Sequence, residues 1–223
     1  MMHTAACIFD LDGVIVDTAR YHFLAWKRLT DMIGIHFTEE NNERLKGVSR
    51  MASLEIILEI GARKIEESQK HDYAELKNKW YVDYISKMTP DEILPGCLEF
   101  IKELKSANVR VAIGSASKNT PLILERVGIL ELFDAIADGN NVKKAKPDPE
   151  VFIKAAEMVG IETGRCTVFE DAVAGIQAAL NAGMLCVGVG SPLILKKAHS
   201  VIRGLDEMSL SKLIEIEKKS GYE

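Results

Sequence analysis

The chain has 223 residues, 47% hydrophobic and 27% charged, the proportions of a globular protein long enough for a sizeable core in one large domain or two smaller ones. Its 28 Lys and Arg against 33 Asp and Glu give a net charge of −5, with the basic residues scattered, which excludes the concentrated basic face of a nucleic-acid binder. No apolar run reaches the length of a membrane span, and no charged, apolar leader opens the chain, so no membrane partner and a cytoplasmic location are expected. The cysteines Cys7, Cys97, Cys166 and Cys186 show no close pairing or metal spacing. Cys7, Cys166 and Cys186 lie in strand-like runs and read as small core residues of a reduced compartment.

In chain order, Cys7-Ile8-Phe9 reads as a strand apolar on both faces, ending in Asp10-Leu11-Asp12-Gly13. From Ala19 to Met88 the pattern is helical, with Leu54, Ile57, Leu58 and Gly61 on one face and Tyr73, Leu76, Trp80 and Tyr84 on another. Ile93-Leu94-Pro95-Gly96 is a turn signal, after which the rhythm changes. Helical stretches at 97–107, 120–127, 149–159 and 172–182 alternate with strands at 109–113, 133–137, 166–169 and 185–189, and the last three helices stop at Gly128, Gly160 and Gly183. A final helix runs over 209–219. Helices that end in glycine before apolar strands mark a doubly wound parallel α/β sheet. The expected architecture is an α/β core from residues 1–15 and 92–223 with an all-helical insertion at 16–91. Its two crossings lie close enough for a hinge.

Asp10 and Asp12 are two carboxylates one residue apart where a strand leaves its sheet. Their repulsion calls for a cation or a proton, and a hard divalent ion such as Mg²⁺ suits oxygen ligands. A plain strand-end turn competes with that reading. An EF-hand calcium loop does not fit, because Val14-Ile15-Val16 follows Gly13 where further ligands are needed. In an open parallel sheet, ligands bind beyond the carboxyl ends of the strands. There the sequence places Ser115-Ala116-Ser117-Lys118-Asn119 and Glu170-Asp171, with Lys146-Pro147-Asp148 in a loop before a helix. Each has a structural alternative: a helix cap for Ser115, Ser117 or Asn119, a dipole partner for Glu170 and Asp171, a solvated side chain for Lys146. Their convergence on one sheet edge favours metal-assisted phosphoryl transfer. Gly188-Val189-Gly190 lacks the third glycine of a dinucleotide site.

Asp10-x-Asp12-Gly13, Ser115, Lys146 and Glu170-Asp171 resemble the motifs of the haloacid dehalogenase superfamily, and the insertion point matches the helical cap of its cap-bearing members. A closer likeness, to the phosphosugar mutases of that superfamily, rests on His22-x-x-x-Trp26, on Lys46-Gly47-Val48-Ser49-Arg50 with Ser53-Leu54, and on Ser115-Ala116-Ser117-Lys118-Asn119. The resemblance implies a Rossmann-like core in which Asp10 is the nucleophile and Asp12 the general acid and base. One Mg²⁺ would be held by Asp10, the backbone carbonyl of Asp12, Asp171 and Glu170. Ser115 and Lys146 would hold the transferring phosphoryl group. Arg50, Ser117, Lys118 and Asn119, beside Ala116, would grip the other phosphate of a bisphosphate. Gly47 and Val48 would contact sugar hydroxyls, next to Lys46 and Ser53. Thr18, His22 and Trp26 would gate the hinge. Lys77 would reach the site from the cap, with a solvated lysine as the competing reading.

The function so implied is interconversion of β-D-glucose 1-phosphate and glucose 6-phosphate through an aspartyl-phosphate enzyme and glucose 1,6-bisphosphate. The expected partner is a small phosphosugar and the expected state a monomer. A Mg²⁺-dependent sugar-phosphate phosphatase with the same nucleophile is the alternative. A non-catalytic phosphosugar-binding protein fits less well, because both aspartates are intact.

Overall fold

The computed structural model describes residues 2–222. Six strands run in chain order: β1 (Ala6–Phe9), β2 (Arg110–Gly114), β3 (Ala135–Ala137), β4 (Cys166–Glu170), β5 (Leu185–Val189) and β6 (Ser200–Ile202). They form one parallel sheet in the order β3-β2-β1-β4-β5-β6. The helices are α1 (Ala19–Met32), α2 (Glu39–Glu43), α3 (Arg50–Ile60), α4 (Glu67–Ile85), α5 (Cys97–Ser106), α6 (Thr120–Arg126), α7 (Glu150–Val159), α8 (Val173–Asn181) and α9 (Leu210–Lys219).

Alternation along β1 builds two layers, because successive side chains of a strand point to opposite faces. Cys7 and Phe9 face the layer of α5, α6 and α9. Ala6 and Ile8 face that of α7 and α8. Phe9 stacks on Phe169 at 4.9 Å and meets Phe100 edge-on. Burial of β1 on both faces explains its unbroken apolar run. The four cysteines are buried and unpaired.

α1 to α4 carry their own apolar cluster, which includes Trp26, Leu29, Leu54, Ile57 and Leu58. The foot of α4, at Tyr81 and Ile85, joins the core cluster instead. The fully buried face of α4 is Ala74, Lys77, Tyr81 and Ile85, and the stripe of Tyr73, Trp80 and Tyr84 lies beside it, partly buried against the two clusters. The strand expected at 133–137 is shorter, because a 3₁₀ turn at Leu130–Leu132 leads into Phe133.

The two crossings between helices and sheet lie side by side. Val16 bridges to Ile93, and Leu94 N–H donates to Ile15 O at 2.9 Å. Gly13, at φ +82°, closes the turn with its N–H on Val16 O at 2.8 Å, and a Cβ there would strike the Asp171 carboxylate.

Candidate active site

Register decides what meets at the sheet edge. Phe9 lies opposite Ile113 on one side and Phe169 on the other. Within two residues of that register, Asp10, Ser115 and Glu170-Asp171 therefore gather at the same edge of the sheet. Asp10 N–H still donates to Phe169 O at 2.9 Å, which fixes its backbone as strand while its side chain points out of the edge.

Asp10 is held from two sides. Its Oδ2 accepts from Asp12 N–H at 3.0 Å, and its Oδ1 lies 2.5 Å from Lys146 Nζ. Lys146 Nζ also lies 2.8 Å from Glu170 Oε2. The Lys146 side chain is only 1% exposed, so it is not the solvated lysine of the competing reading. Burial alone would lower its pKa, but Asp10 and Glu170 raise it above the ordinary value, which keeps the ammonium charged. Glu170 Oε1 accepts from Ala172 N–H at 2.9 Å. Burial pushes Glu170 upward and Lys146 opposes it, while its two acceptor contacts are those of an ionised carboxylate. Gly175 is required beside it, because a Cβ there would overlap the Glu170 carboxyl.

Asp10, Glu170 and Asp171 each present an oxygen within 4.8 Å of the others. Burial, then the nearby charge of Asp10, pushes Asp171 up from the usual carboxylate range. Clustered hard anions that repel one another, beside a turn where Gly13 leaves no side chain in the way, fit a small divalent cation such as Mg²⁺. Asp12 is pushed up to about 7, first by burial and then by Asp10. The Thr18 hydroxyl donates to its Oδ1.

A cavity of about 530 Å³ opens in front of these groups, with Asp10, Asp12, Lys146 and Asp171 at its floor. The size suits a small ligand. Helical walls bring Thr18, His22 and Trp26 from α1 and the turn before it, and Lys46, Gly47, Val48, Arg50 and Ser53 from the segment into α3. Ala116, Ser117, Lys118 and Asn119 complete the core side. Ser115 and Glu170 stand behind this wall, buried at 1% and 0%. Ser115 Oγ accepts from Ser117 N–H at 3.1 Å, and Ser117 Oγ from Asn119 N–H at 3.2 Å. Neither serine caps a helix: Asn119 is the N-cap of α6 and its side chain makes no cap hydrogen bond, so the two serines shape the loop ahead of α6 instead. A second groove of similar volume, about 540 Å³ at Pro90–Gly96 and Leu205–Met208, holds none of these groups.

Lys77 is 2% exposed. Its Nζ lies 3.0 Å from His22 Nδ1 and 4.6 Å from the ring centres of Trp26 and Tyr81. Burial, then Arg50, lowers its pKa well below the ordinary lysine value. Burial and Lys77 likewise lower that of His22, leaving a neutral imidazole that accepts from Lys77. Lys46 pairs with Glu43 at 3.0 Å and reaches Asp171 at 3.7 Å. Arg50 meets Glu75 at 2.7 Å. Sequence reasoning missed Glu75, Asn78, Tyr81 and His71, which line the cavity from α4. Of these only Tyr81, four residues after Lys77, shares its helical face; nothing in the sequence signals the other three. The Tyr81 hydroxyl is buried without a hydrogen-bond partner.

A nucleophile-ready carboxylate, a buried ammonium and an acidic cation site at the edge of a parallel sheet define a phosphoryl-transfer centre. The chain belongs to the haloacid dehalogenase-like hydrolase family, whose model matches residues 4–183. It is 44% identical over 212 residues to a β-phosphoglucomutase of Bacillus subtilis, covering 94% of both chains. A solved β-phosphoglucomutase of Clostridium difficile superposes with a TM-score of 0.92 at 42% identity, over 98% of this chain and 97% of that one. A phosphorylated carbohydrates phosphatase of Thermotoga maritima is 32% identical over 185 residues, 80% of this chain and 82% of its own.

Proposed function

We propose that this protein is a phosphosugar mutase, interconverting β-D-glucose 1-phosphate and glucose 6-phosphate through glucose 1,6-bisphosphate. The observation that carries the reading is the 44% identity to a mutase, which extends over 94% of each chain and so takes in the helical insertion as well as the core. The division into a catalytic core at 1–15 and 92–223 and a cap at 16–91 belongs to the same proposal.

Asp10 attacks the phosphorus, and the bond from phosphorus to the sugar oxygen breaks as Asp12 gives that oxygen its proton. In the second half, Asp12 takes the proton of the other sugar hydroxyl, which attacks the phosphorus and releases Asp10. A pKa of about 7 lets Asp12 serve both directions near neutrality. Lys146 and Ser115 hold the phosphoryl oxygens during transfer. Glu170 keeps the Lys146 ammonium in place at 2.8 Å. Asp10, Asp171, Glu170 and the Asp12 carbonyl would hold Mg²⁺, which supplies charge neutralisation on the phosphoryl oxygens. Arg50, Ser117, Lys118 and Asn119 grip the far phosphate, Arg50 through its planar fork. Lys46, Gly47, Val48, Ser53 and Lys77 face the sugar, and Ala116 lines the floor beside it. Thr18, His22 and Trp26 couple cap position to Asp12. Cap closure then excludes water until a sugar hydroxyl arrives. A cytoplasmic monomer completes the reading. The four buried, unpaired cysteines suit a reducing compartment.

The deciding measurement is the decay of phosphorylated Asp10 with and without glucose 6-phosphate. Slow loss to water and rapid loss to the sugar phosphate are expected. Equal decay in both conditions rejects the mutase and leaves the phosphatase.

A further inference from the structure

Asn119 stands where the core loop turns into α6, and its backbone is fixed on both sides. Its N–H donates to Ser117 Oγ at 3.2 Å, and its carbonyl accepts from Ile123 N–H at 3.1 Å. The side chain is not fixed by the core. Instead its Nδ2 donates across the cavity wall to Asn78 Oδ1 on α4, at 3.1 Å. Among the described residues this is the only side-chain hydrogen bond between α4 and the core. Asn78 itself sits on a braced stretch of helix, directly after buried Lys77 and one turn before buried Tyr81. Both amides line the cavity.

A carboxamide has two N–H donors on one end and a carbonyl on the other, of nearly equal shape. An anion accepts from the nitrogen end and is repelled by the oxygen end. An Asn free to rotate offers the wrong end part of the time. By accepting one Nδ2 hydrogen, Asn78 opposes a flip of the Asn119 amide alone and leaves the second hydrogen for a phosphate oxygen. The reverse orientation would set carbonyl oxygen against carbonyl oxygen unless both amides turned.

We propose that Asn78 is a positioning residue: it orients the Asn119 amide for the far phosphate and ties that grip to the placement of α4. The inference rests on the reading of Asn119 as a ligand of the far phosphate. It places cap position and phosphate recognition in one contact, so docking of the distal phosphate and docking of α4 favour each other.

The test is a double-mutant cycle of Asn78→Ala and Asn119→Ala, read as the dissociation constant of glucose 1,6-bisphosphate, which fills both phosphate positions, by calorimetry in an Asp10→Asn background that cannot accept the phosphoryl group. Asn78→Ala should weaken binding about fivefold, the scale of one ordinary hydrogen bond. In the Asn119→Ala background the same change should matter less than about twofold, because the amide it orients is gone. Hydrolysis of acetyl phosphate, which has no second phosphate, should keep its rate in Asn78→Ala, showing that the fold and the transfer centre are intact. Equal effects of Asn78→Ala in both backgrounds overturn the proposal, as does an equal loss on acetyl phosphate. Loss of mutase turnover is not the readout. If the unaltered enzyme proves a phosphatase while the binding cycle shows coupling, the function fails and the positioning role stands.

Discussion

The Thr18 hydroxyl donates to Oδ1 of Asp12, so the carboxyl proposed as acid and base is tied to the first residue before α1. Thr18 is 0% exposed. Any swing of the helices that moves the start of α1 acts directly on that carboxyl. Thr18→Val keeps the shape and deletes the donor. It should raise the loss of phosphate from Asp10 to water relative to transfer to glucose 6-phosphate by about tenfold, less than the roughly 10²–10⁴ that a proton-transfer group itself contributes, because Thr18 only positions that group. Decay of the phosphorylated enzyme, followed by quench with and without the sugar phosphate, measures that ratio. An unchanged ratio would separate Asp12 control from Thr18.

The acidic cluster makes a second prediction. Asp171 shares its oxygen cluster with Asp10 and Glu170, but Glu170 is already engaged by Lys146 and by Ala172 N–H. Asp171 is therefore the member with most freedom to ligate a cation. Asp171→Ala should weaken Mg²⁺ activation at least roughly 10-fold. Titration of activity against Mg²⁺ checks it, and an unaltered midpoint would remove Asp171 from the metal site.

Arg50 tests the far phosphate. One guanidinium nitrogen meets Glu75 at 2.7 Å, which leaves the rest of the fork for a ligand. Arg50→Lys keeps the charge and loses the bidentate geometry. Mutase turnover should fall about tenfold while acetyl phosphate hydrolysis stays nearly constant. Equal losses on the two substrates would show that Arg50 serves something other than a second phosphate.

Lys77 should carry a stability cost. It is an ammonium at 2% exposure, facing a neutral imidazole and two aromatic rings. The ring faces return a part of the lost hydration, but burial is the larger effect and depresses the pKa. The unfolded chain then binds this proton more tightly than the fold. Stability should therefore rise with pH above the folded-state value and level off near the ordinary lysine value of 10.5. Lys77→Met should flatten that rise and stabilise the protein near neutrality by about 1 kcal/mol, a gain of ~3 °C for a chain of this length. Sugar-phosphate turnover should drop in the same variant. Calorimetric melting across pH 7 to 10 reads the effect, and a destabilised Lys77→Met with an unchanged pH slope would mean that Lys77 is stabilised in the fold.

The sequence by itself determined the layers, the order of the core elements and the transfer centre. Those signals are local: apolar runs of strand length, glycines after helices, and carboxylates set directly behind β1 and β4. Parallel register then carries Asp10, Ser115 and Glu170-Asp171 to one edge almost automatically, since residues at strand ends have nowhere else to go. The tertiary structure decided what the helical insertion contributes. Lys77 read almost as well as a solvated lysine, and Asn78, Glu75 and Tyr81 carried no motif. Helical periodicity put Tyr73, Leu76, Trp80 and Tyr84 on one face of α4 but does not specify which face a neighbouring element covers most deeply. Packing of α4 against α1 and the core turned Ala74, Lys77, Tyr81 and Ile85 inward. That packing buried an ammonium and brought Asn78 within 3.1 Å of Asn119, forty-one positions along the chain. A contact between residues so far apart in sequence is set by how two units dock, and no local pattern encodes it.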